Sequence, residues 1–237
     1  MTSAGRVQKG SRKNYQKELD KVLEMLPREY PGRVPTLLLH SCCAPCSSYC
    51  LEYLSQYFEI TVFYFNPNIY PPEEYEKRVR EQERLVMEMP SRHPIHVIEG
   101  EYDPKLFYEM VRGMEHLKEG GARCHACFSL RLAVTARRAA SMGFDFFATT
   151  LTISPLKDAA KINEIGTRIG AEHSVRWLPS DFKKREGYRR SIELSRGYGL
   201  YRQDYCGCVF SKKEREEQKL QDTSRITYFW EKDESRL

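Results

Sequence analysis

No apolar run in this sequence approaches the roughly 20 residues that a membrane-crossing helix requires, so no membrane partner is expected. Residues 1–15 are polar and basic and lack the apolar stretch of a secretory signal. A cytoplasmic, reducing location follows as the expectation. No internal repeat is visible, so an array of stacked units is not expected. A strong charge imbalance is missing as well: 38 Lys and Arg face 33 Asp and Glu, a net charge of +5. That balance permits a polyanionic partner without demanding one. Finally, the turn after the first apolar run lacks the glycines that would cradle a phosphate. It carries thiols instead.

That turn lies in residues 36–50. Leu37, Leu38 and Leu39 read as a short buried strand that stops at Cys42 and Cys43. Pro45 stands where a first helical residue would, and Tyr49, Cys50, Tyr53, Leu54, Tyr57 and Phe58 then recur at helical spacing. In an open α/β sheet, the turn after the carboxyl end of a strand is where ligands bind. Further strands are expected at 60–65, 95–98, 144–151 and 175–178, and helices at 71–89, 104–113, 123–143 and 158–169, with another ending near Gly197. Asp103 and Asp158 are placed as helix N-caps. Before the first strand, Tyr15, Leu19, Val22, Leu23 and Leu26 form one amphipathic helix ahead of Pro27. Strands alternate with helices throughout. The fold class is therefore α/β: a parallel, doubly wound sheet of four or five strands with helices on both faces. A chain of 237 residues that is 41% hydrophobic suits one such domain, here 34–210, with an N-terminal helical extension at 1–33 and a charged tail at 211–237.

The eight cysteines are Cys42, Cys43, Cys46, Cys50, Cys124, Cys127, Cys206 and Cys208. In a reducing compartment, clustered cysteines are more often metal ligands or redox groups than structural bridges. Cys124-His125-Ala126-Cys127 has metal-ligand spacing at a helix start, where the dipole and free N–H groups favour thiolate and help carry the negative charge of a cluster. With Cys42 and Cys43 it offers four soft ligands from two loops at one sheet edge, the number that a [4Fe–4S] cluster or a structural zinc takes. A disulfide within Cys206-Gly207-Cys208 would be strained and therefore labile. That favours a redox pair, although the same spacing can ligate a metal. Cys50 lies on the apolar side of its helix and reads as a small packed hydrophobe. Cys46, one turn from both Cys42 and Cys50, is open between the two roles. His40 and His125 read as packed and hydrogen-bonded rather than liganding.

Six motifs carry a family resemblance that spans residues 37–211. They are Leu-His-Ser-Cys-Cys-Ala-Pro-Cys (39–46), Phe-Asn-Pro-Asn-Ile-Tyr-Pro (65–71), Arg-Cys-His-Ala-Cys-Phe-Ser-Leu-Arg-Leu (123–132), Thr-Thr-Leu-Thr-Ile-Ser-Pro-Leu-Lys-Asp (149–158), Ser-Asp-Phe-Lys-Lys (180–184) and Tyr-Arg-Gln-Asp-Tyr-Cys-Gly-Cys (201–208). In these the chain resembles the QueH-type epoxyqueuosine reductases. The resemblance implies a HUP-like (nucleotide α-hydrolase-like) α/β fold. It also implies the last step of queuosine biosynthesis, in which an epoxide on the wobble base of tRNA is reduced to an alkene without cobalamin. By the resemblance, Cys42, Cys43, Cys124 and Cys127 are ligands of a [4Fe–4S] cluster, and Cys206 and Cys208 are a redox-active pair. Some members carry Asp in place of Cys46, where it looks like a ligand to an additional iron. Here Cys46, with Cys206 and Cys208, can take that role instead.

The expected partners are tRNA bearing epoxyqueuosine at the wobble position and an electron donor that the sequence does not name. Lys157 and Asp158 follow a strand end and can reach the same sheet edge. Lys183, Lys184, Arg185, Tyr188, Arg189 and Arg190 are a candidate RNA-binding stretch, with a solvated helix face as its plain alternative. Two rival functions remain. One is an iron–sulfur-dependent tRNA thiolation enzyme, which usually needs a Ser-Gly-Gly-x-Asp-Ser loop that Ser-Cys-Cys-Ala-Pro-Cys replaces here. The other is a zinc-stapled RNA-binding module without catalysis.

Overall fold

Leu37, Leu38 and Leu39 are all fully buried in strand β1 (Thr36–His40), the centre of a five-stranded sheet. The computed structural model describes residues 13–234, with side chains described through residue 221. Residues 1–12 of the expected extension and 235–237 of the expected tail lie outside the described residues. The other strands are β2 (Glu59–Tyr64), β3 (Ile95–Glu99), β4 (Phe146–Thr149) and β5 (Arg176–Trp177). All pair in parallel, in the order β3-β2-β1-β4-β5.

Successive side chains of a strand point to opposite faces. Leu37 and Leu39 therefore meet α1 (Tyr15–Glu29), α2 (Ala44–Leu54) and α3 (Pro72–Glu88) on one face. Leu38 meets α5 (Ala122–Met142) and α6 (Ala159–Glu172) on the other. Helices on both faces explain why β1 is apolar at every inner position rather than alternating. The doubly wound α/β sheet expected from the sequence is thus observed. Pro27 does not stop α1, which runs on to Glu29, and its Leu19, Leu23 and Leu26 enter the same core as β1. Strand β4 is shorter than expected. Thr149 Oγ1 accepts from Leu151 N–H at 3.2 Å and starts a 3-10 turn, Thr150–Ile153.

Three further helices are α4 (Pro104–Met110), α7 (Gly187–Gly197) and α8 (Val209–Glu234). Asp103 and Asp158 are N-caps as expected, Asp158 accepting from Ala160 and Lys161. Among the described residues no helix is long and apolar enough to cross a membrane. The chain leaves β1 towards β2 and β3 on one side and later returns through β4 to β5 on the other. The reversal between β1 and β4 is the topological switch point, whose crevice opens at the carboxyl ends of the strands.

Candidate metal centre

At the carboxyl end of β1, the extended backbone of Cys43 caps α2, and Cys46 lies in the first turn of that helix. This short path brings the sulfurs of Cys42, Cys43 and Cys46 within 4.8 Å of one another. The turn is pinned from several sides. Asn66 Nδ2 donates to Ser41 O at 2.7 Å, Tyr64 hydroxyl to Cys42 O at 3.2 Å, and Ser47 hydroxyl to Cys43 O at 3.0 Å. Three thiols so close share a proton load. Hydrogen bonds from Cys42 and Cys46 hold Cys43 well below the usual thiol range, with the charge of Arg78 helping, while the same contacts push Cys46 well above it.

The second pair arrives on α5, whose amino end lies at the same edge. Cys124 packs against the apolar group that contains Cys42, Cys43 and Phe128, and its sulfur accepts from Gly120 N–H at 3.2 Å. Cys127 is buried with Phe107, Val111 and Cys208. The helix start was expected to favour thiolate here, but burial outweighs it. Burial raises Cys124 and pushes Cys127 up to about 12, although Arg131 works the other way on Cys127.

The third group comes from the loop before α8. Gly207 has φ +132°, and a Cβ there would lie 3.1 Å from Ile69 Cγ1 and 3.2 Å from Arg78 Nη1, so only glycine fits. Its carbonyl accepts from Tyr70 N–H at 2.8 Å, and Cys206 O accepts from Arg78 Nη1 at 3.3 Å. Cys208 stands just before α8, its sulfur accepting from Ser211 N–H at 3.4 Å. No two of the eight cysteines are bonded as a disulfide. Cys50 is buried in the core on the other face from Cys42 and Cys43 and donates to Cys46 O. It is the packed hydrophobe that its spacing suggested.

Three cations each face more than one of the three cysteine groups. Arg131 follows Cys127 by one helical turn and is buried; the charges of Cys127, Cys42, Cys206 and Cys124 stabilise it against that burial. Lys157, from the turn after β4, faces Cys206, Cys42 and Cys46, which raise its pKa against the effect of burial. Arg78 faces Cys43 and binds Glu74 at 2.7 Å. His40 is not a free ligand. Its Nε2 donates to Phe65 O at 3.2 Å and its Nδ1 pairs with Thr149 Oγ1 at 2.8 Å, and burial pushes its pKa down to about 3.

The two arginines show what the site is built to hold. Among the described residues Arg131 donates only to Asn66 Oδ1, at 3.2 Å, and its Nε and Nη2 are buried without partners, as is Nη2 of Arg78. Unsatisfied buried cationic N–H groups are costly. A metal bound by several thiolates is an anion and would satisfy them, and soft sulfur donors suit zinc or an iron–sulfur cluster. The residues present therefore fit a metal–thiolate group. Sequence reasoning passed over both arginines, although the spacing of Arg131 from Cys127 was a usable signal.

The basic stretch at the start of α7 is largely ion-paired. Arg185 binds Asp20 at 2.6 Å, Arg190 binds Glu52 at 2.6 Å, and Arg189 approaches Glu193 at 3.3 Å. Lys183 binds Asp181 at 3.0 Å and donates to Thr152 O and Lys157 O, which sets the stretch beside the turn carrying Lys157. Lys184 and the ring of Tyr188 are at the surface of this stretch.

The family profile described as "Epoxyqueuosine reductase QueH" matches residues 37–214. Proteins of that name are similar along most of the chain. The one from Staphylococcus epidermidis is 45% identical over 207 residues, covering 86% of each chain. The one from Streptococcus pyogenes is 43% identical over 198 residues, covering 82% of this chain and 78% of the relative. The one from Thermotoga maritima is 37% identical over 188 residues, covering 77% and 93%. Among solved structures, the U34-tRNA thiolase NcsA from Methanococcus maripaludis with its [4Fe-4S] cluster aligns at a TM-score of 0.47 and 13% identity, over 89% of this chain and 77% of that one. That likeness is too distant to bear on activity. A profile match across the whole thiol-bearing region, with relatives this similar over most of their length, places the chain in the epoxyqueuosine reductase QueH family.

Proposed function

We propose that this chain is an oxidoreductase that converts epoxyqueuosine at the tRNA wobble position to queuosine, the last step of queuosine biosynthesis. The reading is carried by one observation: in a member of this family, three thiols meet within 4.8 Å at the switch point, beside buried guanidinium groups that lack partners. The reaction takes two electrons and two protons. Both C–O bonds of the epoxide break, a C=C bond forms, and the oxygen leaves as water. The electrons come from an external donor that neither the sequence nor the fold names.

Cys42, Cys43, Cys124 and Cys127 are the proposed ligands of a [4Fe–4S] cluster, and eight free thiols suit a cytoplasmic setting. When bound, such a cluster supplies electrons one at a time at low potential. Arg131 and Arg78 offset the negative charge of the thiolates. Among the described residues Lys157 has no carboxylate partner, and it faces the thiols, so its Nζ holds a proton that it can give to the departing oxygen. An alkoxide is more basic than a lysine amine, so this transfer runs downhill once the C–O bond opens. The proposed role of Cys206 and Cys208 is a dithiol–disulfide couple. The closeness of Cys46 to Cys42 and Cys43 favours a second reading, in which Cys46, Cys206 and Cys208 bind an additional iron. Lys183, Lys184, Arg185, Tyr188, Arg189 and Arg190 are proposed to meet the tRNA at the start of α7, chiefly through the surface groups Lys184, Tyr188 and Arg189.

The test is anaerobic purification, iron and sulfide analysis, and assay on epoxyqueuosine-containing tRNA with a chemical reductant and no ATP. Conversion to queuosine is expected, because no phosphate cradle follows β1. Strict ATP dependence with sulfur incorporated into tRNA would assign the thiolation activity instead. A colourless zinc protein without turnover would leave the RNA-binding module.

A further inference from the structure

Two tyrosines beside the Cys206-Gly207-Cys208 loop take no part in the chemistry above. Tyr70 and Tyr108 are each 42% exposed, although Ile69 beside the first and Phe107 beside the second are buried. The backbone of Tyr70 is clamped to the loop. Its N–H donates to Gly207 O at 2.8 Å, and its carbonyl accepts from Tyr205 hydroxyl at 2.6 Å. Tyr108 is on α4, next to Phe107, which packs with Val111 on Cys127 and Cys208. Through Phe107 for Tyr108 and through the Gly207 bond for Tyr70, both tyrosines adjoin the segment that carries Cys206 and Cys208. Lys212, in the first turn of α8, holds its Nζ 5.8 Å from the centre of the Tyr70 ring. The Tyr70 ring has no aromatic partner among the described residues, and Tyr108 touches only the ring of Phe107.

We infer that Tyr70 and Tyr108, with Lys212 beside them, form the platform on which bases flanking the wobble nucleotide stack. This inference rests on the reductase function above and locates the RNA at its site. Chemistry on a base requires taking that base out of its stack, and the neighbours left behind need new π-partners. Exposed tyrosine rings supply them whatever the base, and an adjacent lysine meets the phosphates. The platform lies on the Cys208 side of the pocket, whereas the start of α7 lies beside Lys157. RNA is favoured over a docking protein because a ring fixed by its backbone and left uncovered next to a cation matches a stacked, anionic strand.

The test is fluorescence anisotropy of the full-length, iron-loaded protein with a labelled, unmodified anticodon stem–loop at low salt. Tyr70→Ala and Tyr108→Ala should each weaken binding roughly 5- to 150-fold, and Tyr→Phe at either position should stay within about twofold. Lys212→Gln should lower the slope of log affinity against log salt by about 0.7. Iron content and circular dichroism should not change; where an alanine variant is poorly folded, Tyr→Leu replaces it and must lose binding equally. Alanine and leucine variants that bind like the wild type would overturn the platform, as would phenylalanine variants that lose as much as alanine. Variants that bind RNA normally and turn over with dithionite, but fail with a protein electron donor, would give the two rings to that donor instead. If the wild type binds the stem–loop through these rings yet leaves epoxyqueuosine-tRNA unreduced, the reductase reading falls and the platform stands.

Discussion

Replacing Arg131 with Met should affect the metal-free and the metal-loaded protein in opposite ways. Without an anion beside it, Arg131 is a buried cation whose Nε and Nη2 have no hydrogen-bond partner among the described residues. Each such group costs about 1–3 kcal/mol. Methionine removes that cost and keeps most of the apolar stem. It also forfeits the Nη1 bond to Asn66 and the contact with the Phe128 ring at 5.7 Å, worth about 1.5–3 kcal/mol and about 0.5–1 kcal/mol respectively. These amounts nearly cancel, so the metal-free variant should unfold within about 1 kcal/mol of wild type. With an anionic metal–thiolate group in place, the same guanidinium pairs with it, and losing a partner of a second-sphere kind costs about 10- to 100-fold in metal affinity. The assays are urea denaturation of both metal-free proteins and competition for iron with a graded series of chelators. A metal-free variant destabilised by about 3 kcal/mol or more with unchanged iron retention would mean that Arg131 is an ordinary structural residue. The account of the site as an anion-holding pocket would then be wrong.

Three other outcomes follow from the geometry. Cys206→Ser should abolish turnover and leave the iron content intact if Cys206 and Cys208 form a redox couple; a loss of about one iron per chain, shared by Cys46→Ser, would establish the additional iron site in its place. Lys157→Met should cut turnover about 10²- to 10⁴-fold with iron and RNA binding unchanged, and Lys157→Arg should not restore it, because arginine keeps the charge but does not release the proton; full rescue by arginine would reduce Lys157 to a purely electrostatic role. Hydrogen bonds from Arg33 at 2.7 and 2.6 Å, with further ones from Thr36, hold the carboxyl of Asp145 below its usual value of 3.8. That contribution is complete above the unfolded value and disappears as pH falls through the lower folded one, so Asp145→Asn should be less stable than wild type at neutral pH and converge with it as acid protonates the folded carboxylate; a difference that persists in acid would place its origin elsewhere.

The architecture was legible because its signals are local. Leu37, Leu38 and Leu39 announce a strand covered on both faces, and Asp103, Pro104 and Asp158 announce helix starts by their own hydrogen-bonding chemistry. The ends of elements were less legible, because tertiary contacts set them. Thr149 turns β4 into a 3-10 helix two residues before the apolar run ends. Spacing put Cys46 one helical turn from Cys42 but left its role open, and the fold brings it within 4.8 Å of both Cys42 and Cys43. What spacing could not supply was the charge around them. Arg78 and Arg131 are ordinary residues in an arginine-rich sequence until the fold buries them without enough acceptors. Likewise, Arg185 and Arg190 look like free phosphate contacts until Asp20 and Glu52 prove to be their neighbours, one of them 165 residues away in sequence.

The same contrast explains how Cys206 and Cys208 reach a site built mostly by β1, α2 and α5. No strand delivers them. Their loop is held by contacts that each join distant segments: Gly207 to Tyr70, Cys206 to Arg78, and Tyr201 hydroxyl to Glu74 at 2.9 Å. Beyond the loop, α8 is tied back by Arg123, which binds Glu214 at 2.8 Å, donates to Glu115 O and lies 4.6 Å from the Phe210 ring. Arg123 immediately precedes Cys124, so one buried side chain couples the position of the second thiol pair to that of the third. The first residues of α8 are therefore part of the scaffold of the candidate metal centre. A thiol pair mounted on side-chain and single backbone contacts is also easier to displace than one mounted on a strand end. That difference is in keeping with the proposed redox role of Cys206 and Cys208, whose partners would change while Cys42 and Cys43 stay fixed at the end of β1.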